Sequence, residues 1–257
     1  MSLPHYYSTL APFRATFRTG HPVLTYHHVG PRPRGVRLKG LFLSQKLFVR
    51  QIAELGEAGF SSQPLAAITS SHTDARPLVF LTFDDGFRDV FEHALPVLRQ
   101  QRCCSIVFLV SEFIGKTNEW QQRAGDIAVP MMDEAQARDW LAAGQEIGSH
   151  TRTHPRLTQL SADRAREEIV ASKKSLEDRF GRAVDHFCYP YGDWNEAIRD
   201  LVQEAGYRTA CTTNPGVNLP GTSPFELKRF TARYPSRNLK ALLARFGRFW
   251  SQGYVKR

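Results

Sequence analysis

Short apolar runs that alternate with longer segments of helical period constrain this chain more than any other feature. The runs are PVLTY at 22–26, PLVFLTF at 77–83, SIVFLV at 105–110, GQEIGSH at 144–150, DHFCYP at 185–190 and YRTACTT at 207–213. The second is apolar nearly throughout, as expected of a strand covered on both faces. Between the runs, Ser44 opens a helix that repeats Phe48, Ile52 and Leu55 on one face until Gly59. Phe91, Leu95 and Leu98 mark a second helix, and Asp133 with Gln136 forms a capping box for a third that ends near Gly144. Ser161 starts a long charged helix through Phe180, and another is expected over 194–205. About six βα repeats result, which predicts an α/β fold around a parallel sheet.

At 257 residues the chain is of a length that single α/β barrels reach, so one domain is expected. No internal repeat or low-complexity linker divides it. The stretch 111–132 lacks periodicity and reads as a long surface loop bearing Trp120.

Lys+Arg 34 against Asp+Glu 25 gives a net charge of +9, which favours acidic glycans, polyanions or anionic lipid surfaces as neighbours. The basic residues are scattered rather than blocked, and no nucleic-acid partner is expected. Cys103, Cys104, Cys188 and Cys211 show no CxxC spacing, and the adjacent pair would close a strained ring. Free thiols in a reducing compartment are expected. The N-terminus has no uninterrupted apolar core of a signal peptide and no segment approaches a membrane span, so a cytoplasmic location is expected.

Three motifs follow predicted strands, where parallel sheets present their ligands. TFDDG at 82–86 sets Asp84 and Asp85 side by side before a turn at Gly86, although a DDG triplet alone more often starts a turn and a helix. SHTRTHP at 149–155 supplies His150 and His154 with a spacing that lets both rings face one cation. FCYPYGDWN at 187–195 combines Tyr189, Tyr191 and Trp194 with Pro190 and Gly192. Aromatic rings beside a rigid turn suit sugar stacking, and turn amides suit an oxyanion.

In these three motifs the sequence resembles the polysaccharide deacetylases that share the NodB homology domain, also called carbohydrate esterase family 4. TFDDG resembles the first family motif, HTRTH the second and YPYG the third, and the resemblance runs over 22–234. It implies a single domain with a distorted (β/α) barrel of about seven parallel strands. Residues 1–21 would then be an N-terminal extension and 235–257 a basic amphipathic C-terminal helix. The resemblance also implies that Asp84 is the catalytic base, while Asp85, His150 and His154 hold a divalent metal, Zn2+ first, with Co2+ or Ni2+ as alternatives. PVLTYHHV and YPYG are most similar to the branch acting on bacterial exopolysaccharides such as poly-N-acetylglucosamine. In that branch the first strand ends in Tyr-His, matching Tyr26 and His27.

Two departures from the family pattern stand out. Cys188 replaces the third-motif arginine that orients the catalytic carboxylate, and no histidine follows His186 to supply the late general acid. Arg229, in LKRF at 227–230, is a candidate neighbour of the site. The leaving amine could take its proton from His27, from protonated Asp84 or from a metal-bound water, with His27 preferred over His28 because alternation turns the latter away. The expected activity is therefore removal of acetyl groups from N-acetylated sugars of a polysaccharide or glycan precursor. A small-molecule amidohydrolase or O-acetyl esterase on the same scaffold is the runner-up. A non-catalytic glycan-binding module is the alternative of another class. In 235–257, Leu242, Phe246, Phe249 and Trp250 interleave with Lys240, Arg245 and Arg248, which suits peripheral contact with an inner membrane.

Overall fold

The computed structural model describes residues 3–69 and 76–234. Among the described residues seven parallel strands line the barrel of a nine-stranded sheet: β1 His21–Tyr26, β2 Leu78–Phe83, β3 Ile106–Leu109, β4 Glu146–Ser149, β5 His186–Cys188, β6 Thr209–Cys211 and β7 Phe230–Thr231; the two-residue strand Ser61–Ser62 pairs parallel with β2. Each strand from β1 to β6 pairs with the next, and β7 returns to β1 through Leu24↔Phe230 and Thr25↔Thr231. A parallel bridge Cys211↔Leu227 carries the circuit from β6 into the segment before β7. The expected seven-stranded (β/α) barrel is thus observed. A two-residue strand, Val217–Asn218, pairs antiparallel with the start of β1.

Burial explains the strand compositions. All six residues of β2 are buried, because apolar side chains face the barrel interior on one side and the helices on the other. The helices follow the predicted caps. In α1, Gln45–Glu57, the Ser44 hydroxyl accepts from Leu47 N, and Phe48, Ile52 and Leu55 are buried. In α3, Glu134–Ala142, the capping box of Asp133 and Gln136 is complete. The long α4, Ala162–Phe180, starts at Ser161 and ends on left-handed Gly181. Helix α5 covers Glu196–Glu204 with Asn195 as its cap.

Two expectations need correction. The helix after β2 begins as a π-helix, Val90–Ala94, before α2, Leu95–Gln100; Pro96 lacks the N–H that an α-helical bond to Glu92 would need. The stretch 111–132 is not a plain surface loop. It holds a 3-10 turn Ser111–Phe113 and a short helix Glu119–Arg123, and Phe87, Val110, Phe113, Trp120, Val129 and Met131 form a small core of their own. Its apolar residues are spaced too irregularly to reveal this by period. The segment upstream of 22 packs on the barrel: Tyr7, Phe13 and Phe17 are fully buried, Tyr7 bridges to Ala232, and the two phenylalanines pack on Phe230. The helix expected over 235–257, and the membrane contact expected of it, lie outside the described residues. No described helix is long and apolar enough to cross a membrane.

Candidate active site

The C-terminal ends of β2, β4 and β5 bring the three motifs together, beside His27 after β1 and Arg229 just before β7. Asp84 N bonds to Tyr26 O, extending the β2 ladder by one residue. Asp85 then turns with φ 74 and Gly86 with φ 86, where a Cβ would lie 2.6 Å from Leu109 Cδ2; only glycine fits there. Among the described residues five non-glycine residues have positive φ, and four of them, Asp85, Thr151, His154 and Tyr191, belong to these motifs. Such conformations cost about 1–3 kcal/mol each and persist where the surroundings impose them. Their concentration here marks the site independently of any motif.

Asp85 Oδ1 lies 3.4 Å from His150 Nε2 and 3.2 Å from His154 Nε2, and all three residues are buried. Bonds of roughly 2.0–2.2 Å to a tetrahedral cation place neighbouring ligand atoms about 3.3 Å apart. The donor set therefore fits a divalent ion. His150 is oriented for such an ion, because its Nδ1 donates to Cys188 O at 2.7 Å, so that an ion taking the place of the Nε2 proton shared with Asp85 would meet the Nε2 lone pair. Burial alone would raise the Asp85 carboxyl, but hydrogen bonds from both imidazoles hold it well below its ordinary value. A second grouping, Asp84, His150 and Cys188, also brings its ligand atoms within 4.8 Å of one another.

Asp84 is 3% exposed and has a different partner. Arg229, itself buried, forks onto it with Nη1 to Oδ1 at 2.7 Å and Nη2 to Oδ2 at 2.8 Å. Arg229 Nε donates to Thr212 O, Nη1 also reaches Thr82 Oγ1, and Nη2 lies 3.1 Å from Cys188 Sγ. Burial pushes the Asp84 carboxyl up, and the guanidinium charge and its paired bonds bring it below the ordinary value. Asp84 is thus an ionised acceptor near neutral pH. Arg229, a mere neighbour in the sequence reading, supplies from the segment just before β7 the guanidinium that Cys188 cannot supply from β5.

His27 Nε2 is 3.9 Å from Asp84 Oδ2, beyond hydrogen-bond reach. Its burial lowers its proton affinity, against the pull of Asp84 and Asp85. His28 turns away as expected: it is buried between Phe42 and Phe87 with Nδ1 2.8 Å from Asp89 Oδ2.

The aromatic residues divide. Tyr191 is 47% exposed, its ring 4.6 Å from that of His154 and capped by Arg156 at 4.4 Å. Tyr189, expected to face substrate, is fully buried with its hydroxyl donating to Phe225 O. Trp194 stacks on Tyr189 and packs against the core. Both are supports of the turn rather than rim residues, because alternation puts Cys188 in the barrel interior and turns Phe187 and Tyr189 toward the helix layer. Trp120, read from sequence as a surface residue, stacks on His154 at 4.7 Å.

A family model described as polysaccharide deacetylase matches residues 71–210, more than half of the chain. The chain belongs to the polysaccharide deacetylase family. Among its relatives, YxkH of Bacillus subtilis is 27% identical over 76% of this chain and 65% of its own length. The poly-beta-1,6-N-acetyl-D-glucosamine N-deacetylase of Escherichia coli K12 is 26% identical over 77% of this chain and 30% of its own. The chain therefore spans less than two thirds of these relatives. In three dimensions it resembles the Streptococcus pyogenes deacetylase PplD, solved with acetate, at a TM-score of 0.72 and 21% identity, covering 88% of this chain and 97% of the other. That likeness carries the fold. Within this member of the family, Arg229 pairs with Asp84 and the thiol of Cys188 lies beside them.

Proposed function

We propose that this chain is a metal-dependent hydrolase that removes acetyl groups from N-acetylated sugars of a polysaccharide or glycan precursor. The observation that carries the reading is the division of labour between adjacent aspartates: Asp85 faces two imidazoles, whereas Asp84 is forked by Arg229 and left free of that set. Asp85, His150 and His154 would hold the divalent ion, with Zn2+ the first choice for an N2O donor set. When bound, such an ion lowers the pKa of water and polarises a carbonyl oxygen.

The chain's own groups supply the rest. Asp84, kept ionised by Arg229, takes the proton of the attacking water. The backbone amide of Tyr191 serves as an oxyanion donor, and the Tyr191 ring with Arg156 behind it forms an aromatic face for a sugar. His27, 3.9 Å from Asp84, would relay to the departing amine the proton that Asp84 took from the water. The glycan reading agrees with the Escherichia coli relative, a poly-beta-1,6-N-acetyl-D-glucosamine N-deacetylase.

Acetate release from N-acetylated and O-acetylated oligosaccharides, with chelator and with added Zn2+, tests this reading. Zinc-dependent release from the N-acetyl substrates is expected, and release from O-acetyl esters alone contradicts it. In the same assay His27→Ala should lower kcat by roughly 10²-fold with zinc content unchanged. An unchanged kcat removes His27 from the mechanism.

A further inference from the structure

The loop between the two imidazoles is held by a buried acid that no motif names. Helix α4 turns Ala165, Ile169, Ser172 and Leu176 into the core, and Glu168 shares that face at 4% exposure. Its Oε2 accepts from Arg152 N at 3.0 Å and from Thr153 N at 2.8 Å, and its Oε1 accepts from Thr153 Oγ1 at 2.7 Å. Arg152 and Thr153 lie between His150 and His154, in a turn whose ends, Thr151 and His154, have φ 67 and 64. One further bond, His154 N to Thr151 Oγ1 at 3.0 Å, closes the turn from within. Among the described residues no Lys or Arg side chain forms an ion pair with Glu168, so the loop donors are what this buried carboxylate serves.

We infer that Glu168 is a positioning residue of the metal centre: by fixing the two amides between the ligands it sets where His154 Nε2 stands relative to His150 and Asp85. The inference rests on the metal-binding reading above. The chemistry requires a carboxylate. It offers acceptors on both oxygens, and all three loop groups facing it are donors. Glutamine keeps the shape but replaces one acceptor by an NH2, which leaves at least one loop donor facing a donor. Outer partners of metal ligands act in this way, by orienting the ring rather than by touching the ion.

The test compares the full wild-type chain, Glu168→Gln and Glu167→Gln, each stripped of metal and titrated with Zn2+ against a chromogenic chelator. Glu167 is the control: it is exposed, and it bonds the side chains of Arg152 and Arg164, not the loop amides. Glu168→Gln is expected to bind Zn2+ about 10–100-fold more weakly, with Glu167→Gln unchanged. At saturating Zn2+ the kcat of Glu168→Gln should return towards wild type with KM unaltered, a split that general loss of fold does not produce. Wild-type zinc affinity in folded Glu168→Gln overturns the inference. If that variant does not fold, Thr153→Val, which removes only the bond at Oε1, takes its place: several-fold weaker binding supports the inference and unchanged binding overturns it. A wild-type chain that binds no Zn2+ overturns the metal reading itself and this inference with it, so the wild-type titration separates the two failures.

Discussion

Asp84→Asn is expected to lower kcat on an N-acetylated oligosaccharide by on the order of 10³-fold, within the range general bases supply, while keeping its zinc. Asparagine has nearly the shape of aspartate but cannot accept the proton of water. Zinc is retained because Asp84 stands apart from the Asp85, His150 and His154 set. Asp85→Asn should do the reverse and lose zinc first, with activity following. The comparison must be made below the melting temperature of each protein, since a neutral amide in place of the Asp84 carboxylate leaves the buried charge of Arg229 without its partner. Loss of zinc from Asp84→Asn would assign that carboxylate to the ion instead of to the water.

Arg229→Gln carries the second large effect, on stability and on pH dependence together. Removing one member of a buried ion pair leaves a buried charge uncompensated, at about 3–5 kcal/mol. For a chain of this size that corresponds to a fall in Tm on the order of 10 °C. The sign with pH follows from Asp84. In the wild type its carboxyl is held below the ordinary 3.8, so the pair contributes stability that is present above that value and lost as pH falls through the lower, folded value. In Arg229→Gln the opposing effect of burial prevails and the carboxyl rises. The stability gap between the two proteins should therefore narrow as pH falls, and the acid limb of kcat/KM should move to higher pH. Thermal melts and rate profiles from pH 4 to 8 measure both. An acid limb that stays in place would show that Arg229 does not set the ionisation of Asp84.

Much of this architecture is legible in local pattern. Ser44, Asp133 and Ser161 cap the helices expected of them, because capping and amphipathic stripes are properties of neighbouring residues. The three strand-end motifs converge because a parallel barrel sends every strand's C-terminal end to one face. What depends on contacts between distant segments is less legible. Arg229 lies 145 residues from Asp84, and only the loss of arginine at Cys188 hinted that the charge must come from elsewhere. Glu168 could have been suspected as a carboxylate on the buried face of α4, but its partners come from a loop in another motif. Trp120 and Tyr189 depart from the sequence expectation for the same reason: stacking on His154 and bonding to Phe225 O are tertiary events.

The central claim is that Asp85, His150 and His154 share one cation while Asp84 stays outside it. Anomalous diffraction at the zinc edge from crystals of the zinc-loaded chain tests that claim directly. One peak bonded to Asp85 and to the Nε2 atoms of both histidines, with Arg229 still forked onto Asp84, is the predicted result. A peak held instead by Asp84, His150 and Cys188, the other grouping whose ligand atoms approach within 4.8 Å, would contradict it.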